Sequence, residues 1–220
     1  MAAYTTINDP SKHFQTAIWT GDGATSDRNI TNTGNSDLQP DLILGECRSH
    51  VQHKHLQDSS RGFSVGNKEL VTNNNTAEGN TSAVNSAGYG YLGPSLTDGF
   101  VSNFGSVNNG YWNVNSRLYA AWQWKGNGGT TSSNTNGNIT STVQVNTTAG
   151  FSIVTYTGNG SDNQTIGHGL GVTPTWWVVK RRDSTGSWNV GCSLGFWGGT
   201  SNYMLLNATN ANADNVNNIW

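Results

Sequence analysis

Apolar and polar residues alternate in short runs along this chain, and clusters of Gly, Asn, Asp, Ser and Thr cut the runs apart. Between Gln15 and Thr20, Thr16, Ile18 and Thr20 alternate with Ala17 and Trp19 before a Gly21-Asp22-Gly23 turn. A period of two predicts a half-buried strand. Phe151–Thr157 repeats the arrangement and stops at Gly158-Asn159-Gly160. Leu38–Leu44 and Leu170–Lys180 each set a proline, Pro40 or Pro174, just ahead of strand formers, where it leads a strand without interrupting a ladder. Charged residues follow both runs, Glu46 and Arg48 in one and Lys180 to Asp183 in the other, marking where each leaves the core. Gly62–Val65, Glu69–Thr72 and Asp98–Val101 are shorter strand candidates. Leu118–Trp124 puts Leu118, Ala120, Trp122 and Trp124 on one face and Tyr119, Ala121 and Gln123 on the other, its inner face being core. No stretch holds a helical period, so the chain reads as all-β.

The same pattern occurs twice. Thr20 to Gly23 falls on Thr157 to Gly160 at an offset of 137. After a three-residue gap the offset settles at 134, matching Pro40 with Pro174, Arg48 with Arg182, Asn73 with Asn207 and Ala77 with Ala211. A duplicated module is the simplest account. The partner of Leu118–Trp124 would lie near 252–258, beyond Trp220. The second copy is therefore expected to be incomplete and the chain to be the N-terminal piece of something longer. Residues 1–13 read as an N-terminal arm, either an attachment segment with Tyr4, Ile7, Pro10 and Phe14 as its apolar points or a frayed terminus. Residues 14–124 form the first module, 125–149 a Gly/Ser/Thr/Asn-rich linker and 150–220 the second, truncated module. Val143 and Val145 alternate, so the end of the linker already has strand character.

Composition narrows the function. Asn, Gly, Thr and Ser supply 106 of 220 residues, which is unusual for an enzyme core. Only 11% of residues are charged, against roughly 25% in an ordinary domain. Nine Trp and seven Tyr nevertheless provide large apolar side chains, which argues against disorder. A net charge of −2 with scattered Lys and Arg offers no basic stripe for a phosphate backbone. No apolar run approaches the roughly 20 residues of a membrane span, and the first ten residues lack the pattern of a secretory signal. Synthesis in a cytoplasm is expected, with Cys47 and Cys192 as free, partly buried thiols.

Candidate chemistry is sparse. His50, His53 and His55 are the densest group of metal-type ligands, but the second copy has Ser184, Ser187 and Asn189 at those positions. Zinc wants three or four converging ligands, and a solvated loop is the simpler expectation. No pair among the thirteen carboxylates stands out as a glycosidase dyad, and there is no nucleophile elbow. Neither catalytic residues nor cofactors are expected. Trp176 and Trp177 point to opposite faces of one strand, so one is core and the other meets an interface or a ligand. Trp188 and Trp197 fall in a glycine-rich loop, where they stack on sugar rings or pack beneath the loop or against a neighbouring subunit.

Gly150–Gly160, Ile166–Gly171, Pro174 with the run to Asp183, and Asp58–Gly62 resemble a repeated module in virion proteins of marine tailed bacteriophages. Thr5–Phe14 with Asn35–Asp41 is similar to the start of such proteins. The resemblance covers nearly the whole chain. It implies tandem jelly-roll sandwiches of concanavalin or laminin-G type and a non-enzymatic structural role in a tail fibre or other appendage. The expectation is a homotrimer in the virion, its N-terminal region docked on other virion proteins such as a tail adaptor or nozzle and its distal part directed at the host. A capsid decoration protein, or a carbohydrate-binding module for host surface glycans, is the alternative. The chain departs from the family pattern in stopping within its second module.

Overall fold

A computed structural model describes residues 7–63, 68–79, 86–106, 111–193, 202–209 and 213–214. The architecture is all-β, with tandem sheet modules of unequal size. In the first module β1 (Phe14–Thr20), β2 (Arg28–Ile30), β3 (Leu42–Cys47), β4 (His55–Asp58) and β5 (Leu70–Val71) come first. After a one-turn helix at Ser86–Tyr89 follow β6 (Leu92–Ser95), β7 (Phe100–Ser102) and β8 (Leu118–Trp124). They form a five-stranded sheet, β1-β8-β3-β4-β5, and a three-stranded sheet, β2-β7-β6. A 3-10 turn at Pro10–Lys12, capped by the Asp9 side chain, leads into β1.

The core draws on both sheets: Ala17, Trp19, Ile43, Tyr119 and Ala121 from one, Ile30, Leu92 and Phe100 from the other, and Trp112 from the loop between β7 and β8. Trp19 stacks on Tyr119 at 5.2 Å and meets the edge of Phe100 at 5.8 Å, the geometries that aromatic quadrupoles favour. Its Nε1 donates to the Trp112 carbonyl. The inner face of β8 is Tyr119, Ala121 and Gln123, all fully buried, while Leu118 is exposed. The Gln123 side chain donates from Nε2 to Asn32 Oδ1 at 2.6 Å, a bond that offsets part of the cost of burying its amide. Likewise Ala17 and Trp19 of β1 turn inward and Ile18 turns out, 67% exposed.

In the second part of the chain β9 (Ser132–Asn134), β10 (Ser141–Asn146) and β11 (Phe151–Tyr156) make a three-stranded sheet, β11-β10-β9. A four-stranded sheet follows, formed by β12 (Trp176–Lys180), β13 (Trp188–Cys192), β14 (Asn202–Leu205) and β15 (Ala213–Asp214) in chain order. The repeat is carried in the ladders themselves. Leu42 faces Asp58 and His55 faces Val71 in the first module. Adding 134 to each number gives Trp176 facing Cys192 and Asn189 facing Leu205, which are the observed partners. Two unlike sequences thus keep one register through three consecutive strands.

The Gly/Ser/Thr/Asn-rich segment is ordered: β10 pairs with both β9 and β11. His55 departs from the solvated loop expected of it. It lies on β4, is 4% exposed and pairs with buried Glu69. The alternation of β4 is hidden because its inward residues are His55 and Gln57 rather than apolar ones. Val65 and the rest of 64–67 lie outside the described residues.

Two predictions follow from this packing. Gly45 has no room for a side chain, since a Cβ there would come within 2.2 Å of Leu92 Cδ1 and 3.1 Å of the Trp112 ring. Its counterpart in the second module is Val179. Gly45→Val therefore overpacks the first core and is expected to cost about 1–3 kcal/mol in urea unfolding; unchanged stability would show that the core yields there. Burial also pushes the Tyr119 hydroxyl up to about 12, whereas an unfolded tyrosine ionises near about 10. Between these values the folded state keeps a proton that the unfolded state has lost, so stability falls as pH rises from about 10 to about 12. The urea midpoint should decline over that window, and Tyr119→Phe should flatten the decline.

Candidate functional site

The aromatic candidates part company in the structure. Trp176 opens β12 and is 61% exposed. Trp188, expected in a loop, begins β13 and is 4% exposed, with Nε1 donating to the Val71 carbonyl of β5 at 2.8 Å. Its ring belongs to the seam between the modules. Trp197 and Tyr4 lie outside the described residues. Ile7 is half-buried, Pro10 exposed, and Phe14 packs against Trp124 at 5.1 Å. Trp124 in turn stacks on Phe151 at 6.4 Å and 20°, so the start of β1, the end of β8 and the start of β11 share one aromatic column.

The most elaborated polar constellation is the seam itself. Asp41, directly before β3 and 1% exposed, accepts the backbone N–H groups of Gly126, Gly128 and Gly129 at 2.8–3.0 Å and the Ser59 hydroxyl at 2.6 Å. The carboxylate thereby gathers the chain as it leaves β8. Gln144 of β10, fully buried, takes the N–H groups of Asn127 and Gly129 on Oε1 and donates from Nε2 to Ser60 Oγ at 2.7 Å. Gly126 is needed because a Cβ would come within 2.8 Å of the Gln144 Oε1. Asn146 extends the seam by donating to the Lys125 carbonyl.

A charged bridge closes the other side. Glu78 accepts Arg61 Nη1 on Oε1 at 2.8 Å and Arg182 Nη1 on Oε2 at 2.7 Å. One carboxylate thus holds a guanidinium from each module. Its backbone N–H also donates to the Arg182 carbonyl, and the Gly186 N–H to the Asn75 carbonyl. Arg61 is itself anchored by Asp58 and is 6% exposed. The Arg61 half of the bridge is dry and correspondingly strong, whereas the Arg182 guanidinium is 41% exposed and its half is screened by water. Nearby, desolvation pushes the Lys180 amine below its ordinary range.

A second polar group lies under the β4–β5 edge. His55 Nδ1 and Gln57 Nε2 both meet Glu69 Oε1, at 3.0 and 3.1 Å, and the Tyr111 ring covers the imidazole at 4.9 Å. Burial pushes the Tyr111 hydroxyl up to about 12. At the matching positions the second module has Asn189, Gly191 and Tyr203, so the group belongs to the first module alone. Among the described residues no group of three His, Cys, Asp or Glu side chains is placed to hold a metal ion, and Cys47 is a free thiol. No helix among them is long and apolar enough to cross a membrane.

Sequence reasoning passed over Asp41, Glu78 and Gln144. The sequence signal was slight: Asp41 follows the conspicuous Pro40, and Glu78 is one of only three glutamates.

The sequence profile described as "Domain of unknown function (DUF7483)" matches residues 9–220, running through both modules, and the chain belongs to that family. No curated protein and no solved structure matches it.

Removing the Asp41 carboxylate would strand the Gly126 and Gly128 N–H donors and leave Gly129 to Gln144 alone. Asp41→Ala is expected to cost at least about 2 kcal/mol and to speed hydrogen exchange at Gly126, Gly128 and Gly129 before the rest of the first module. Exchange that stays slow at those amides would show that the seam holds without the carboxylate.

Proposed function

We propose that this member of the DUF7483 family is a structural protein of a tailed-phage virion, forming the particle-proximal part of a tail fibre used for host attachment. Its modules are then jelly-roll sandwiches of the concanavalin or laminin-G kind. The observation that carries the reading is the seam, where Asp41 and Gln144 gather the chain between the modules and Glu78 joins Arg61 to Arg182, in place of a free linker. A fibre has to hold its distal end at a set distance and direction from the particle, which a train of rigidly coupled modules achieves. The sequence phrases shared with marine phage virion proteins support the same reading.

A homotrimer is part of this proposal. The outer face of the β1–β8 pair carries Phe14, Ile18 and Leu118, exposed by 41%, 67% and 39%, with half-buried Trp122 and Trp124 beside them. Neighbouring exposed apolar residues on one sheet face suit subunit contact. A carbohydrate-binding role is the second reading, favoured by the exposed Trp176, whose ring offers a stacking surface for a sugar.

Three measurements decide among these. Native mass measurement is expected to give a trimer that Ile18→Asp dissociates; a stable monomer at high concentration would count against the fibre. Antibody labelling of intact particles is expected on the tail, and labelling of the head would favour a decoration protein. Glycan-array binding abolished by Trp176→Ala would favour the lectin-like reading.

A further inference from the structure

Four asparagines are followed directly by glycine, Asn109, Asn127, Asn136 and Asn159, and the last three lie among the described residues. Such a pair carries its own nucleophile. The glycine nitrogen can attack the side-chain carbonyl of the preceding asparagine, and a residue without Cβ leaves that approach least hindered. Which pair reacts is then decided by how each is held.

In the seam the nucleophile is occupied. The Gly128 N–H donates to Asp41 Oδ2 at 3.0 Å, and the flanking N–H groups of Asn127 and Gly129 are both bound by Gln144 Oε1 at 2.9 Å. The backbone around Asn136 is held too, its own N–H on Asn134 Oδ1 at 2.9 Å and that of Asn138 on Thr165 Oγ1 at 3.0 Å. Gly137 lies between them, so close to the Thr165 carbonyl that a Cβ would come within 2.5 Å of its oxygen.

Asn159, in the turn after β11, stands under the opposite conditions. It is exposed together with Gly160, a Cβ at Gly160 would meet nothing within 4 Å, and among the described residues the Gly160 N–H has no acceptor. The Asn159 side chain is already folded back along the turn, with Oδ1 accepting the Ser161 N–H at 3.0 Å and Nδ2 donating to Gln164 Oε1 at 3.2 Å. The Ser161 bond falls on the oxygen that gathers negative charge when the carbonyl is attacked, where a fixed donor lowers the barrier. The first module supplies an independent observation. Its residue at the matching position is Asp22, whose Oδ1 accepts the Ala24 N–H at 2.9 Å, the same bond across two residues. An aspartate therefore fits this turn.

We propose that Asn159 is a site of spontaneous covalent modification, at which the chain converts its own carboxamide to a carboxylate. The Gly160 nitrogen gives its proton to solvent and bonds to Asn159 Cγ, the Cγ–Nδ2 bond breaks, and Nδ2 takes up a proton and leaves as ammonia. Water then opens the cyclic imide at either carbonyl, giving aspartate at position 159 or its isomer linked through the side chain. Water is the only co-reactant. The product adds a negative charge to a chain whose formal net charge is −2, and in its aspartate form the second module acquires the Asp-Gly turn of the first. The inference is independent of the virion reading.

The test incubates the full chain at mildly alkaline pH, folded and in parallel unfolded in urea, and follows conversion at each asparagine by peptide mass mapping, with the isomer measured by isoaspartyl methyltransferase labelling. Unfolded, the three pairs should convert at similar rates. Folded, Asn159 should keep at least its unfolded rate while Asn127 and Asn136 fall below theirs by at least about tenfold, since a held backbone must open before it reacts. A folded Asn159 that converts more slowly than the unfolded one, or that is overtaken by Asn127 or Asn136, would overturn the proposal. Aspartate formed without any isomer would show direct hydrolysis and overturn the imide route. Asn159→Asp should unfold at the parent's urea midpoint, and a lower midpoint would refute the fit of the product to the turn.

Discussion

The return of Leu118–Trp124 to the middle of the first sheet is the constraint on which the rest of the structure depends. β8 is the one strand that touches both β1 and β3, which are separated by more than twenty residues of turn-rich chain and do not pair with each other. The contact spans about a hundred residues, so its loop-closure cost is met only when many pairs form together. Once β8 is in place, Tyr119 meets Trp19, Ala121 lies under the core and Gln123 takes Asn32, giving the two sheets a common interior. Trp112 arrives just ahead of β8 and is positioned by the same closure, its carbonyl receiving the Trp19 indole.

The seam begins where β8 ends. Trp124 leads into Lys125, whose N–H donates to the His13 carbonyl, and then into the glycines gathered by Asp41. A segment that by composition should be a flexible tether is held by one buried carboxylate and one buried amide. Glycine is what permits this: Gly128 and Gly129 both take positive φ, which lets the backbone curl its N–H groups toward a single acceptor at little steric cost. The same residues that made the stretch read as a linker are the ones that let it wrap an anion. Glu78 repeats the device with side chains, joining Arg61 and Arg182 across the modules.

Much of the strand framework was legible. β1, β8, β11 and β12 stand where alternation and proline placement predicted, because most of their inward positions are apolar or aromatic, Gln15 and Gln123 excepted, and the signal survives in single residues. β4 was hidden because His55, Gln57 and Asp58 are buried polar residues, bonded through His55 Nδ1 and Gln57 Nε2 to Glu69 and through Asp58 to Arg61. β2 and β9 are three residues each, too short for a period to show. Of the site residues, exposed Trp176 matches one half of an open choice between core and surface for adjacent tryptophans. Trp188 went to the seam because its indole found the Val71 carbonyl 117 positions away, a partner no local pattern encodes.

By itself the sequence determined the all-β character, the duplication and its offset of 134, since these rest on periodicity and on matched residues that are visible one at a time. Only the tertiary structure decided which face of each strand is inward and where the polar residues Asp41, Gln144 and Glu78 find partners. The physical reason is that burial, hydrogen bonding and strand order belong to pairs of residues far apart in the chain, and alternation along one segment carries no record of the segment it will meet.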